Sequence, residues 1–327
     1  MMRRAERYGL KFRLALSALL ALSATHAIGD TYPDKPVRLI IASAPGGGSD
    51  LLGRIVAQAL AEAWQRPAVV DNRVGVGGAV ATELAAKAAP DGYTLLVQSF
   101  SIAYLNVLRK NLPFDVTRDI APIVLIGSQP SLLAVHSAVP VNSVAELIQL
   151  AKAKPRQLNY GTSGAGGASH LGTELFSSVA QIQLVPVNYK GTGFAMTALV
   201  SGEVHLALVG LSTALPHAKA KRIKALGISS TSRSALVPDV PTIAETLPGF
   251  EFDVWYGIFG PPKIPRDVLL KINSTVNQVL KQPAVRERIA AAGVDTRGGT
   301  EAQFVKFFRS EVAKWKKVIH DAGIRSD

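Results

Sequence analysis

One unit limits the fold more than anything else in the chain: an apolar strand, a glycine-rich break and a helix, present once in each half. In the first half, Val37-Arg-Leu-Ile-Ile-Ala-Ser43 reads as a buried strand and Pro45-Gly-Gly-Gly48 breaks it. Ser49 is then placed to cap a helix in which Leu52, Ile55, Val56, Ala59, Leu60 and Ala63 recur at helical spacing. In the second half, Leu158-Asn-Tyr160 is a short strand, residues 161–167 form a flexible loop, and Ser169 can cap a helix that buries Leu171, Leu175, Phe176 and Val179. No tandem repeat is visible beyond this shared design.

Further strands at 94–97, 132–135, 204–209 and 223–228 alternate with helical patterns, a second set of elements beginning after the run 120–126, which predicts an α/β fold with a largely parallel sheet. The 327 residues exceed what one core usually organises, so two domains are expected. Ser143-x-x-Glu146 and Thr300-x-x-Gln303 read as capping boxes. Pro238, Pro241 and Pro248 mark an irregular crossing segment before the strand Phe252-Asp-Val-Trp-Tyr-Gly-Ile-Phe259. The remainder is helical and is expected to pack back on the first domain. The chain then crosses twice, which predicts a hinge between lobe 1, residues 28–128 plus 250–327, and lobe 2, residues 129–249.

Residues 1–27 read as a signal peptide. Arg3, Arg4, Arg7, Lys11 and Arg13 precede an uncharged stretch from Leu14 to Thr25, too short to span a bilayer, and small residues favour cleavage after Ala27. The expectation is a soluble periplasmic protein. The absence of cysteine excludes disulfides, thiolate metal sites and thiol-linked lipid. The formal charge is +12; the leader's five Lys/Arg and one Glu supply +4 of it, leaving +8. In an exported protein that balance points to an anionic solute rather than to nucleic acid.

Glycines between a strand and a helix start let backbone N–H groups converge on an anion, where the helix dipole adds positive potential. A single such loop is equally well a tight turn; a pair in two lobes favours binding. No Gly-x-x-x-x-Gly-Lys-Ser/Thr occurs, and Gly164-Ala-Gly166-Gly-Ala-Ser169 ends in Ser where the dinucleotide fingerprint needs Gly or Ala. Gly161-Thr-Ser163-Gly-Ala165 lacks the last glycine of a hydrolase elbow, so Ser163 reads as a hydroxyl donor to a ligand. No histidine pair has metal-ligand spacing and no carboxylate pair presents an acid and a base, so neither a metal, a cofactor nor catalysis is expected. His170 reads equally as a ligand contact or as a helix-start residue bonded to backbone.

Several ordered motifs carry a family resemblance: Tyr32-Pro-Asp-Lys-Pro36, Ala44-Pro-Gly-Gly47 with Ser49-Asp50, Asp71-Asn-Arg73, Asp91-Gly-Tyr-Thr-Leu95, Tyr160-Gly-Thr-Ser-Gly164 through His170-Leu171, Tyr189-Lys-Gly191, Pro238-Asp-Val-Pro-Thr-Ile-Ala-Glu245 and Trp255-Tyr-Gly257. Together they resemble the Bug-type solute receptors of tripartite tricarboxylate transport systems, over essentially the whole mature chain. The resemblance implies a periplasmic-binding-protein-like, type II-like fold, with two α/β lobes joined by crossing hinge strands. It implies capture of a small mono-, di- or tricarboxylate, partly through ordered water, and delivery to membrane transporter subunits by a monomer.

Carried over residue by residue, the ligand set is Ala44, Pro45, Gly46, Gly47 and Ser49 from the first loop, and Thr162, Ser163, Gly166 and His170 from the second. Lys190 and Gly191 form a third segment, and Ser101 and Asn106 belong to the lobe-one wall. Lys190 can also be read as a solvated loop residue. The chain departs from the family pattern at Val204-His205 and at Val209-Gly210, where an Asp is usual. If that Asp normally meets an α-amino group, Gly210 favours a plain carboxylate over an amino acid. A receptor that signals to a membrane sensor is the alternative, and an exported hydrolase using Ser163 and His170 a third reading.

Overall fold

The structure is a computed structural model that describes residues 32–109 and 111–324. The leader expected at 1–27 lies outside the described residues.

Each half of the molecule is a β-α-β-α-β unit. The first runs β1 (Val37–Ile41), α1 (Gly48–Trp64), β2 (Ala68–Asn72), α2 (Ala79–Ala86) and β3 (Thr94–Ser99). A tight helical turn, Phe100–Tyr104, and the short α3 (Leu105–Leu108) follow. The strand β4 (Ala121–His136) and helix α4 (Val144–Ala153) lead to the second unit. That unit is β5 (Asn159–Thr162), α5 (Ala168–Ala180), β6 (Val185–Asn188), α6 (Thr192–Ser201) and β7 (Leu206–Gly210). Then come α7 (Leu211–Lys219), β8 (Ile223–Ile228), α8 (Ile243–Thr246), β9 (Asp253–Gly260), α9 (Arg266–Leu280), α10 (Pro283–Ala291), β10 (Asp295–Thr296) and α11 (Glu301–Asp321).

Strand order is β2-β1-β3-β9-β4-β7-β5-β6, with β8 and β10 also on β4. Within each unit the strands are parallel, while β9, β4, β8 and β10 join antiparallel. The sheet is therefore mixed rather than largely parallel. β1 is buried on both faces, with Val37, Leu39, Ile40 and Ile41 fully inaccessible, as a parallel strand between helices must be.

The strand expected at 132–135 is the end of a longer one that also takes in the run at 120–126. β4 pairs with β9 through Pro130 and with β7 from Ser131 onward, so it passes from one lobe's sheet into the other's. Pro130 stands at that changeover. The cappers differ as well: Gly47 and Gly167, both extended, take the N-cap positions, and Ser49 and Ser169 fall inside the first turn. The box at Thr300 forms as expected with Gln303, whereas at Ser143 only half of it does: Ser143 accepts from the Glu146 N–H, and the Glu146 carboxylate accepts from the Asn142 N–H instead.

One core lies within lobe one, where Leu39 and Ile41 meet Leu52, Val56 and Leu60 of α1 and Ile272 and Val276 of α9. A second is continuous between lobes: Ile40, Leu96 and Phe100 share it with Leu133, Leu171 and Phe176. α11 closes this second core. Its Trp315 packs edge-on against Phe100 and Phe252 of lobe one, at ring separations of 5.8 and 5.7 Å, and the helix also meets α5 of lobe two, so the tail touches both lobes.

Candidate functional site

The two glycine loops have the same backbone. Gly46 and Gly166 both adopt positive φ, 83° and 72°, a conformation that favours glycine. The Gly47 N–H donates to Ala44 O at 3.0 Å, and the Gly167 N–H to Gly164 O at 3.0 Å. In each loop the N–H of the positive-φ glycine is held by a side chain four residues on: Gly46 by Asp50 Oδ2 at 2.8 Å, Gly166 by His170 Nδ1 at 3.0 Å. The likeness extends to the next crossover, where β2 and β6 both end in Asn and lead to Gly75 and Gly191, at φ 144° and 125°.

The anchors differ in charge. Burial works against the Asp50 carboxylate, but hydrogen bonds from Arg54, Asn72 and the Gly46 N–H outweigh it and hold the carboxyl below its usual range. Asp50 stays ionised and clamps the first loop. Burial pushes the His170 imidazole below its ordinary value against the pull of Glu174, so it remains neutral with Nδ1 as acceptor. The structure thus uses His170 as a helix-start residue bonded to backbone.

Between the loops lies a cavity of about 410 Å3. Its walls are Ala42, Ser43, Gly48 and Ser49 from the first loop, Val74, Gly75, Gly77 and Gly78 from the crossover after β2, and Gln98, Ser99, Phe100 and Ser101 at the end of β3. Val254 and Tyr256 of β9 and Ala168 at the start of α5 complete it. Strand ends and helix starts therefore meet here, where open α/β sheets place ligands. None of these lining residues is Asp, Glu, Lys, Arg or His. The Tyr256 hydroxyl, pushed up to about 12 by burial, is neutral too. Charge on a ligand would be met by helix starts, backbone N–H groups and hydroxyls.

Of the residues singled out from sequence, Ser49 and Ser101 stand in the cavity wall, and Ala44, Pro45, Gly46 and Gly47 form the loop above it. In the second loop, Thr162 Oγ1 donates to Asn188 and accepts the Gly164 N–H, which keeps it inside the loop. Ser163 Oγ accepts from Ser169 Oγ at 3.1 Å rather than engaging His170. A nucleophile and base are not paired there. Gly166 approaches α3 across the lobes, with only 2.9 Å between its Cβ position and Leu108 Cδ1. Asn106 is used elsewhere: it donates to Phe114 O and accepts the Val116 N–H, bracing the loop that follows α3. Lys190 is exposed and Gly191 has open space about it. Gly210 faces Gln129 on the crossing strand, 3.4 Å from its Cβ position. The lining residues that sequence reasoning passed over are chiefly Gln98 and Tyr256. Tyr256 sat inside a quoted strand and motif and Gln98 just past the strand read at 94–97, but their approach to Gly48 and Gly78 is a tertiary fact.

Two α/β lobes, joined by crossing strands and facing each other through paired glycine loops, define a solute receptor of the periplasmic binding protein type. A family model described as "tripartite tricarboxylate transporter family receptor" matches residues 52–324, and the chain belongs to that family. Protein BugT of Bordetella pertussis is 33% identical over 301 residues, covering 90% of this chain and 92% of BugT. Among solved structures, R. palustris Rpa4515 with adipate is 33% identical with a TM-score of 0.75, covering 90% of this chain and 99% of that one. MatC (Rpa3494) from Rhodopseudomonas palustris with bound malate is 28% identical with a TM-score of 0.72, covering 88% and 100%.

Proposed function

We propose that the chain captures a small carboxylate between its lobes and delivers it to the membrane subunits of a tripartite tricarboxylate-type transporter. The carrying observation is the pair of congruent glycine loops, one per lobe, over a cavity whose lining has no ionised side chain. Two opposed helix starts suit one carboxylate without a dedicated cation. Adipate and malate in the related structures agree with that chemistry.

The ligand replaces its water with N–H and hydroxyl groups from both jaws, and contact with both is what favours closure. The lobes divide near residues 128/129 and 249/250, where β4 and the segment before β9 cross. Capture involves no bond making or breaking. One chain supplies both jaws, so the monomer is the binding unit. After removal of the leader the protein works in the periplasm; no helix among the described residues is long and apolar enough to cross a membrane.

Native mass spectrometry of the purified chain identifies whatever carboxylate it retains. Gly47→Val places side-chain atoms against Ser43 Oγ and Ala44 O, which lie 3.0 and 3.1 Å from the Cβ position. Together with Ser163→Ala it tests both jaws by calorimetric titration. Each is expected to weaken binding about tenfold or more, the loss of one or two hydrogen bonds to a charged group; unchanged affinity in both would remove this cleft as the site.

A further inference from the structure

The two congruent loops account for the starts of α1 and α5, but a third helix start lies in the same cavity wall. No side chain caps α2, and its first turn holds no acidic residue, whereas that of α1 holds Asp50. The approach to it is glycine: Gly75, Gly77 and Gly78 line the cavity and put no side chain there. Gln98, near the end of β3, lies against this start and is only 1% exposed. Its Oε1 accepts the Ser99 N–H at 2.9 Å, which fixes the amide and turns Nε2 toward Gly78, whose Cβ position is 1.9 Å away. That Nε2 is buried without a hydrogen-bond partner. Buried donors are nearly always satisfied, so this one, beside an uncapped helix start in a ligand cavity, marks a place for an acceptor. Lobe two builds its crossover differently. Counted from the matching Gly191, the place of Gly78 falls on Phe194, whose ring is exposed, and α6 has already begun at Thr192.

What acceptor belongs there follows from the potential at α2. The free N–H groups and dipole of its first turn favour an anion, and no carboxylate of the chain stands in the cavity lining to compete. Ser99 and Ser101 add hydroxyls on the same wall, their Oγ atoms 3.1 Å apart. The opposed loops already answer one carboxylate, so an anion at α2 is the other end of the same solute. We propose that Gln98 Nε2 and the start of α2 seat the second carboxylate of the ligand, and that Gln98 thereby makes this receptor prefer dicarboxylates to monocarboxylates. A fixed amide donor bonds a carboxylate more strongly than a neutral oxygen, so the preference extends over solutes of equal length with an uncharged far end. This rests on the carboxylate-receptor reading above.

Calorimetric titration of the full chain at pH 7.5 tests it, with the linear diacids of about four to six carbons, their half-amides and the matching monoacids as probes. The best-fitting diacid is expected to bind at least about tenfold tighter than its half-amide and its monoacid, the worth of hydrogen bonds to a charged group. Gln98→Met removes the donor, and Gln98→Glu keeps an acceptor for the Ser99 N–H while putting an anion in place of the donor. In both variants the advantage of diacid over monoacid is expected to shrink at least about fivefold. In Gln98→Met the monoacid, which also reports an intact fold, is expected to bind within about twofold of the parent. A diacid no tighter than its half-amide in the parent chain overturns the proposal whether or not the variants fold, and leaves the carboxylate reading standing. An advantage unchanged in Gln98→Met overturns it too, even where Gln98→Glu loses it, since repulsion alone would then explain the loss. If no probe binds the parent chain, the carboxylate reading itself falls, and this proposal with it.

Discussion

Gly48 and Ala168 occupy the same place in the two congruent loops, as first residues of α1 and α5. Gly48→Ala therefore asks nothing new of the backbone, and Ala's helix preference returns at most about 1 kcal/mol. The obstacle is Tyr256. A Cβ at Gly48 would lie 2.3 Å from its Oη, 2.9 Å from Cζ and 3.1 Å from Cε1. Ordinary carbon contacts begin near 3.5 Å, so the hydroxyl must move by roughly 1 Å. Tyr256 is buried in β9 and has little freedom to withdraw except toward the cavity it lines. Overpacking of this kind costs about 1–3 kcal/mol, which outweighs the helix term and lowers Tm by several degrees. Titration with the carboxylate that the purified chain retains is expected to show at least a tenfold loss of affinity as the ring enters the cavity. Tyr256→Phe removes the nearest atom. The double variant Gly48→Ala/Tyr256→Phe should regain at least half of the Tm loss, a coupling that independent sites do not show. Unchanged Tm and affinity in Gly48→Ala, or strict additivity in the double variant, would refute the steric argument.

Two further predictions concern pH. His170 is neutral in the fold because burial holds its pKa below the ordinary value. The unfolded chain then binds more protons below about pH 6.5, and stability declines as the pH falls through that value. His170→Asn, which keeps an acceptor for the Gly166 N–H, should flatten the fall in Tm between pH 7 and 5; an equal slope in the two proteins refutes this. Asp253, beside the crossing, behaves in the opposite sense: burial raises its pKa to about 6 against the pull of Arg297. The folded state holds a proton that the unfolded state releases near pH 4, so stability is lost as pH rises from about 4 to 6. Asp253→Asn is expected to be more stable at pH 8 by up to about 3 kcal/mol, an advantage that vanishes at pH 4; a less stable variant at pH 8 sinks the idea.

The strand, glycine loop and helix of each lobe were legible because they rest on local signals, an apolar run and glycines at positive φ. The rest of each repeated unit was hidden. Asn72-Arg-Val-Gly75 and Asn188-Tyr-Lys-Gly191 keep only the Asn and the Gly, the residues the backbone needs, while everything between them changes. Only the end of β4, at 132–135, read as a strand, since Pro130 separates it from the run at 120–126; what holds the whole together is pairing with β9, more than a hundred residues away. Asn106 looked like a wall residue and is a brace, because its partners at Phe114 and Val116 are set by the path of a loop. Gln98 fell one residue past the strand read at 94–97. Its meaning depends on the absence of a side chain at Gly78.

The shared design of the loops bears on how the jaws divide their work. In lobe two, Ser169 spends its hydroxyl on Ser163, donating to Ser163 Oγ and accepting the Ser163 N–H, so that loop is satisfied by itself. In lobe one the equivalent Ser43 Oγ is an orphan, and most of the cavity wall belongs to that lobe. On the proposed reading, a captured ligand meets most of its wall in lobe one, and lobe two faces it with Ala168 and the start of α5. Both loops are already locked, by Asp50 and by His170, so little backbone freedom is lost on binding. The aromatic contact of Trp315 with Phe100 and Phe252 lies in lobe one, and the core to which it belongs continues across the junction to Leu133, Leu171 and Phe176. Closure must pivot about that packed cluster rather than slide across it, because a close-packed core moves as a unit or not at all.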